Sequence, residues 1–176
     1  MSKTTVPTGG LADNAVTPAK STIIQGITMA DQWRLTANIE ATNADITSNL
    51  ERIDTGGYAQ LGSGMTNSSG IFSFPSTGIY LIVFHARLVA AAGDSGFIYA
   101  SSTVNNSSFV NTAYVFESSG TGTGGGTDSA SFIFDVTNIS THKVKFTTVS
   151  FATDSYVVGS SSETATGFTF LRLGDT

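Results

Sequence analysis

The chain of 176 residues contains no cysteine, only three prolines and one tryptophan, and few charges, with Asp, Glu, Lys and Arg together making 12% of the sequence. Without cysteine there are no disulfides and no thiolate metal sites, so stability has to come from packing or from association. The shortage of basic residues excludes a second class. Eight Lys and Arg against thirteen Asp and Glu leave a net charge of −5, and the basic residues are scattered, whereas a nucleic-acid surface needs them clustered. No uninterrupted apolar run approaches the roughly 20 residues of a membrane-crossing helix, and the N-terminus lacks the apolar core of a signal peptide. The sequence predicts a chain made soluble, without membrane insertion.

Glycine is abundant at 19 residues, alongside much Ser and Thr. This balance is poor for helices and suits short strands joined by tight turns. One all-β domain with an additional arm fits the length.

The stretch GIFSFPSTGIYLIVFHARLV, residues 70–89, organises the rest. Ile71 to Phe74 forms a short apolar run closed by Pro75, and Ser76-Thr77-Gly78 supplies a turn. In the run that follows, Tyr80, Ile82, Phe84, Ala86 and Leu88 share one parity, and Ile79, Leu81, Val83 and Val89 the other, interrupted only by His85 and Arg87. Side chains of a strand alternate between its faces, so this strand is apolar on both. Antiparallel sheets usually keep one face in water. Either helices or another copy of the chain must cover the second face.

No amphipathic helix is evident to do so. Residues 29–53 carry Leu35, Ile39, Ile46, Leu50 and Ile53 at spacings compatible with one helical stripe. Their many Thr and Asn residues favour the other reading, two short strands over 33–40 and 46–50. Residues 58–61 suit a brief edge strand, and 97–104 and 109–117 a hairpin around Asn105-Asn106. Residues 118–129, SSGTGTGGGTDS, are expected to form an exposed flexible loop; they lack the Lys and the following helix of a phosphate-binding loop. In the strand over 130–136, Phe132, Phe134 and Val136 face inward, with Ser131 and Asp135 outward. Along 143–151, Val144 and Phe146 share a parity that Val149 and Phe151 do not, which predicts a bulge near Thr147-Thr148. The last strand, 165–173, has Phe168 and Phe170 on one face and Leu171 and Leu173 on the other. It matches the central strand in being two-sided, and the two are expected side by side. About ten strands result. Before them, residues 1–28 mix Pro, Gly and small polar residues and form an extended arm; the head is 29–176.

The FxFPxxGxY core at Phe72 to Tyr80, the glycine-rich strands after it and the terminal GFTFLRL resemble the globular head of complement component 1q and the tumour-necrosis-factor fold. Phage structural proteins carry similar domains, with segments like ADQWRLT, TSNLERID and GSGMTNSSGIFSFPSTGIYLI, and LADNAVTPAK resembles short units of phage tail-fibre shafts. The resemblance spans about residues 29–173. It implies a ten-stranded antiparallel jelly-roll sandwich that assembles as a tight homotrimer. Tyr80, Ile82, Phe84, Phe132, Phe134 and Phe146 would fill the subunit core. Ile79, Leu81, Val83, His85, Arg87, Leu171 and Leu173 would face the threefold axis. Neither a collagen-like stalk nor an acidic cluster reproducing a calcium site accompanies the match.

Catalytic chemistry finds no constellation here, since His85 and His142 stand beside no Ser, Cys or carboxylate pair in triad order. His142 is expected in solvent. His85 and Arg87 would gather near the axis, pairing with carboxylates or carbonyls of a neighbour, or binding an anion there. Asp94, Asp128 and Asp154 lie in loops without calcium-loop spacing. No cofactor is expected. Tyr99, Phe109 and Tyr114 are read as core, with stacking on sugars as the alternative. The resemblance implies a non-enzymatic virion structural protein, made in the host cytoplasm and attached through its arm to capsid or tail proteins. The alternative is the host-receptor or carbohydrate-binding head of a tail fibre, using loops 90–96, 118–129 and 154–163.

Overall fold

The computed structural model describes residues 26–40, 43–54, 56–152 and 154–176. The expected arm therefore lies, up to residue 25, outside the described residues. Their regular elements are all strands: β1 (Met29–Leu35), β2 (Ile39–Glu40), β3 (Leu50–Arg52), β4 (Thr66–Ser68), β5 (Ile71–Ser73), β6 (Gly78–Ala90), β7 (Ser95–Thr103), β8 (Val110–Ser118), β9 (Gly124–Val136), β10 (Lys143–Val149), β11 (Tyr156–Val157) and β12 (Gly167–Gly174). The described residues within 29–53 are thus not helical, and the strands fall at 29–35, 39–40 and 50–52. Leu35 and Ile46, spaced like a helical stripe, are both buried, each from a separate extended segment.

One antiparallel sheet has the order β2-β11-β6-β12-β1-β3, with β9 pairing the other edge of β6; the second has the order β4-β5-β10-β7-β8. The expected neighbourhood of the two two-sided strands is present, with Phe84 opposite Phe168 and Leu81 opposite Leu171. Strand β6 is unusual in filling both of its edges. All of its residues pair with β9, while β12 and then β11 occupy the opposite edge.

Between the sheets, Tyr80, Ile82, Phe84, Ala86 and Leu88 are buried, as are Phe146, Phe168 and Phe170. Phe72 stands at the middle of an aromatic cluster, with ring centroids 5.3 Å from Trp33, 5.9 Å from Phe146 and 5.1 Å from Phe170. Phe132 and Phe134 pack against this core but are only half-buried, because β9 pairs with β6 alone and the second sheet covers it incompletely. The Tyr80 hydroxyl donates to the Ser76 carbonyl at 2.9 Å, closing the turn that Pro75 opens. At Gly78 the backbone has φ 145°, and a Cβ would lie 2.5 Å from both the Arg172 guanidinium and the Gly174 carbonyl. Only glycine fits both the angle and the space.

Beside this apolar cluster sits one buried carboxylate. Asp31 accepts from the Trp33 indole at 3.0 Å, the Arg52 guanidinium at 3.0 Å and the Met65 backbone at 2.6 Å. The three bonds tie β1 to β3 and to the chain entering β4.

Three local expectations are corrected. Glycine-rich residues 124–129 are not loop but the first half of β9, in register from Ala90↔Gly124 to His85↔Ser129. Their lack of side chains lets them follow β6 closely, since a Cβ on Gly125 would lie 3.0 Å from the Leu88 carbonyl. The bulge near 147–148 is absent, and β10 pairs with β7 without a shift from Lys143 to Val149. The parity changes at Ser150, whose φ of 66° turns the chain and delivers Phe151 to the core. Residues 58–61 contribute one bridge, Ala30↔Leu61, rather than a strand.

Phe72→Ala should lower unfolding free energy by about 3–5 kcal/mol, the cost of an unfilled core cavity. Asp31→Ala, which strands the partly buried Arg52 charge, should cost about 2–4 kcal/mol. Urea unfolding of each variant checks both.

Candidate functional site

The face of the seven-stranded sheet turned away from the core carries the residues expected at an axis. Pairing register places them in rows across four strands. Leu81 lies between Ile133 of β9 and Leu171 of β12, and Leu171 lies beside Ala30 of β1. The next row is Ser131, Val83, Thr169 and Gln32, and the one after it is Ser129, His85, Gly167 and Arg34. On the other side Ile79 pairs with Asp135 and Gly174. The face is therefore apolar at one end and polar at the other.

Within the single chain, Ile79, Leu81, Val83 and Leu171 are half-buried by their neighbours, and Leu173 is 42% exposed. Ile133, at 65% exposure, completes the apolar row although the sequence reading did not single it out. Its signal was present: an isoleucine in the otherwise polar parity of an alternating strand. Among the described residues no element covers the row. Isolated exposed apolar residues are ordinary, but a contiguous band across the centre of a sheet marks an interaction surface.

His85 stands where this band becomes polar. Its Nε2 donates to the Thr164 carbonyl of the same chain at 3.1 Å. It borders a shallow cleft of about 190 Å³ that also touches Tyr58, Thr164 and Thr169. Arg87 is exposed and lies outside that cleft. His142, expected in solvent, is instead buried; its ring nitrogens lie 3.3 Å and 3.1 Å from the Thr137 and Thr141 hydroxyls, and the ring packs 5.5 Å from Phe134. The tight turn over 138–142 folds it back under β9.

The loop aspartates have separate structural tasks. Asp94 accepts from the Ser155 hydroxyl and, at 2.9 Å, from the Ala152 backbone, pinning the loop before β11 to the start of β7. The Ser155 bond, helped by backbone donors at Ala152 and Ser95, holds its carboxyl below the ordinary value. Asp128 accepts from Ser129 N at 2.7 Å and from Phe116 N at 3.3 Å across the gap to β8. Asp154 occupies a left-handed turn position, φ 72°. Among the described residues no three His, Asp or Glu side chains converge as a metal site would require.

On the opposite face of the molecule, Tyr99 and Tyr114 are not core. Tyr114 is 54% exposed, and both rings stand on the outward side of the five-stranded sheet, with Phe97 and Phe116 beside them. Phe109 lies under the Lys145 ammonium, 4.7 Å from its ring centre. Asp45 nearby accepts from Lys145 Nζ at 2.8 Å and Thr147 Oγ1 at 2.6 Å. Its partial burial would raise its pKa, but these two bonds and the Lys145 charge outweigh that and lower it.

No family model matches the chain, and neither does any curated protein. Solved structures do match. Murine APRIL at pH 8.5 superposes with a TM-score of 0.61 at 11% identity, covering 82% of this chain and 98% of that one. Murine APRIL at pH 5.0 gives 0.59 at 10%, with the same coverage. The Eiger TNF of S. frugiperda gives 0.59 at 10%, covering 86% of this chain and 96% of that one. Likeness at this identity establishes the fold, a tumour-necrosis-factor-like jelly roll.

Because the Asp94 carboxyl titrates below its ordinary value of 3.8 when folded, its contribution is complete above the unfolded value and disappears as pH falls through the folded one. Urea midpoints should therefore hold level at mildly acidic pH and drop below about pH 4. Asp94→Asn should be less stable at neutral pH and show a shallower acid drop.

Proposed function

We propose that this chain is a non-enzymatic structural protein of a phage particle, a homotrimeric jelly-roll head joined to capsid or tail proteins through the arm over residues 1–28. It would reach the virion after synthesis in the host cytoplasm. The observation that carries self-association is the apolar band Ile133, Leu81, Leu171 and Ala30, extended by Ile79, Val83 and Leu173. It runs through the middle of a sheet whose other side is already packed, and no other described element of the chain lies over it, which supports a second copy as its cover. Each buried Leu or Ile contributes roughly 1.5–3 kcal/mol, and a cyclic arrangement collects that gain once per subunit.

The number three and the phage setting are supported by resemblance: the FxFPxxGxY core for the trimer, and the segments around Trp33, Leu50 and Met65 for phage structural proteins. The polar arm supports attachment, since a segment without its own core orders on binding. His85 and Arg87 would then lie toward the polar end of the shared axis.

Light scattering at micromolar concentration should return about 55 kDa, three times the 18.2 kDa chain. Leu81→Lys with Leu171→Lys should return the single-chain mass while far-ultraviolet circular dichroism keeps its β signature. A monomeric parent protein would refute self-association. Placement on the particle is tested separately by mass spectrometry of purified virions, where deletion of residues 1–28 should abolish incorporation without changing the trimer mass.

A further inference from the structure

The five-stranded sheet turns a second surface outward, and its chemistry differs from the aliphatic band. Phe97 and Tyr99 on β7 stand beside Phe116 and Tyr114 on β8, in register as Phe97↔Phe116 and Tyr99↔Tyr114. Neighbouring ring centroids lie 4.7–5.6 Å apart, with Phe97 and Tyr99 stacked at 26°. The four rings form one continuous aromatic shelf. Tyr114 and Phe116 are 54% and 40% exposed, and among the described residues neither the Tyr99 nor the Tyr114 hydroxyl has a hydrogen-bond partner. Polar groups flank the shelf along the same register. Thr147 of β10 lies opposite Tyr99, Asp45 bridges to Thr147, and Lys145 closes an ion pair with Asp45 at 2.8 Å.

We infer that this shelf is a binding site for a neutral glycan, with the rings of Phe97, Tyr99, Tyr114 and Phe116 stacking on the C–H faces of successive sugars. The Tyr hydroxyls, Thr147 and the Asp45–Lys145 pair would bond to ring hydroxyls. Four observations select this occupant. A surface of flat rings edged by hydroxyls and one carboxylate matches a molecule that is apolar on its faces and polar around its rim, and tyrosine provides such contacts at low entropic cost. The Asp45–Lys145 pair neutralises itself, which favours an uncharged ligand over an anionic one. A nucleic-acid strand also stacks on aromatic platforms but needs a cationic groove, and among the described residues Lys145, the basic side chain beside these rings, is already paired. The aliphatic band lies on the opposite sheet, so self-association there leaves the shelf outward. The shelf is built on two paired strands of a sheet, and its geometry is set before a ligand arrives. The inference is independent of the proposed trimer and of its placement on a virion.

The test is saturation-transfer NMR of the full-length protein with four neutral probes: maltohexaose, cellohexaose, N-acetylchitohexaose and a galactan hexamer. At least one should bind, with saturation strongest at protons on the sugar faces. Tyr114→Ala and Phe116→Ala remove exposed rings and should leave the fold and the light-scattering mass intact while weakening binding about tenfold, in the range of a lost stacking anchor. Tyr114→Phe, which keeps the ring, should retain most of the affinity. Failure of all four probes to bind would overturn the assignment, as would binding unchanged by both alanine variants. A fall in oligomer mass in Tyr114→Ala would also overturn it, since a second copy would then be what covers the shelf.

Discussion

The structure depends on one strand that is paired along both edges and buried on one face. Strand β6 bonds along its whole length to β9 on one edge and to β12 and β11 on the other, and it buries Tyr80, Ile82, Phe84 and Leu88 beneath itself. Three of its four sides are satisfied within the chain. The fourth presents Ile79, Leu81 and Val83, whose apolar character no local requirement of the fold explains. Backbone pairing on both edges makes the strand rigid, so that fourth side is held as a fixed surface. Strand-to-strand register then aligns Leu171, Ile133 and Ala30 with it.

The two outward faces of the sandwich divide along chemical lines. The seven-stranded sheet shows aliphatic residues, which gain from burial without demanding particular geometry, a property suited to joining copies of one chain. The five-stranded sheet shows aromatic rings edged with hydroxyls, which reward a ligand of definite shape. Asp31 and Asp94 take no part in either face. They hold the segments between strands in place, Asp31 from inside the sandwich and Asp94 at the rim.

Most of the architecture was legible in the sequence because alternation survives wherever one face of a strand is buried. The parity of Tyr80 to Leu88 and of Phe168 to Phe170 identified inward residues, and the two-sided character of both strands identified them as neighbours. Legibility failed where the backbone, rather than the side chains, determined structure. Gly124 to Ser129 have no apolar pattern and form strand only because β6 is long enough to need a partner there. The parity change in 143–151 was visible, but a bulge and a left-handed residue at Ser150 produce the same shift, and periodicity cannot distinguish them. His142 looked like a loop residue because nothing local reveals that its turn folds under Phe134. Of the candidate assembly face, the β6 and β12 members were legible from parity. Ile133 was missed because Phe132 and Phe134 dominate the pattern on either side. The aromatic shelf was half legible: Tyr99 and Tyr114 were noticed, but their exposure depends on which side of the second sheet they take.

The position of β12 has a consequence for the order in which the molecule can come into being. It lies between β6 and β1, so a strand made late in translation separates two made early, and Phe84 waits for Phe168 before its row is complete. Pairings this distant along the chain are slow to close, because the loop entropy is lost before the contacts form. Until β12 is in place, β6 has most of one edge open, and Leu171 and Leu173 are missing from the aliphatic band. A chain still being synthesised therefore presents only an incomplete aliphatic face.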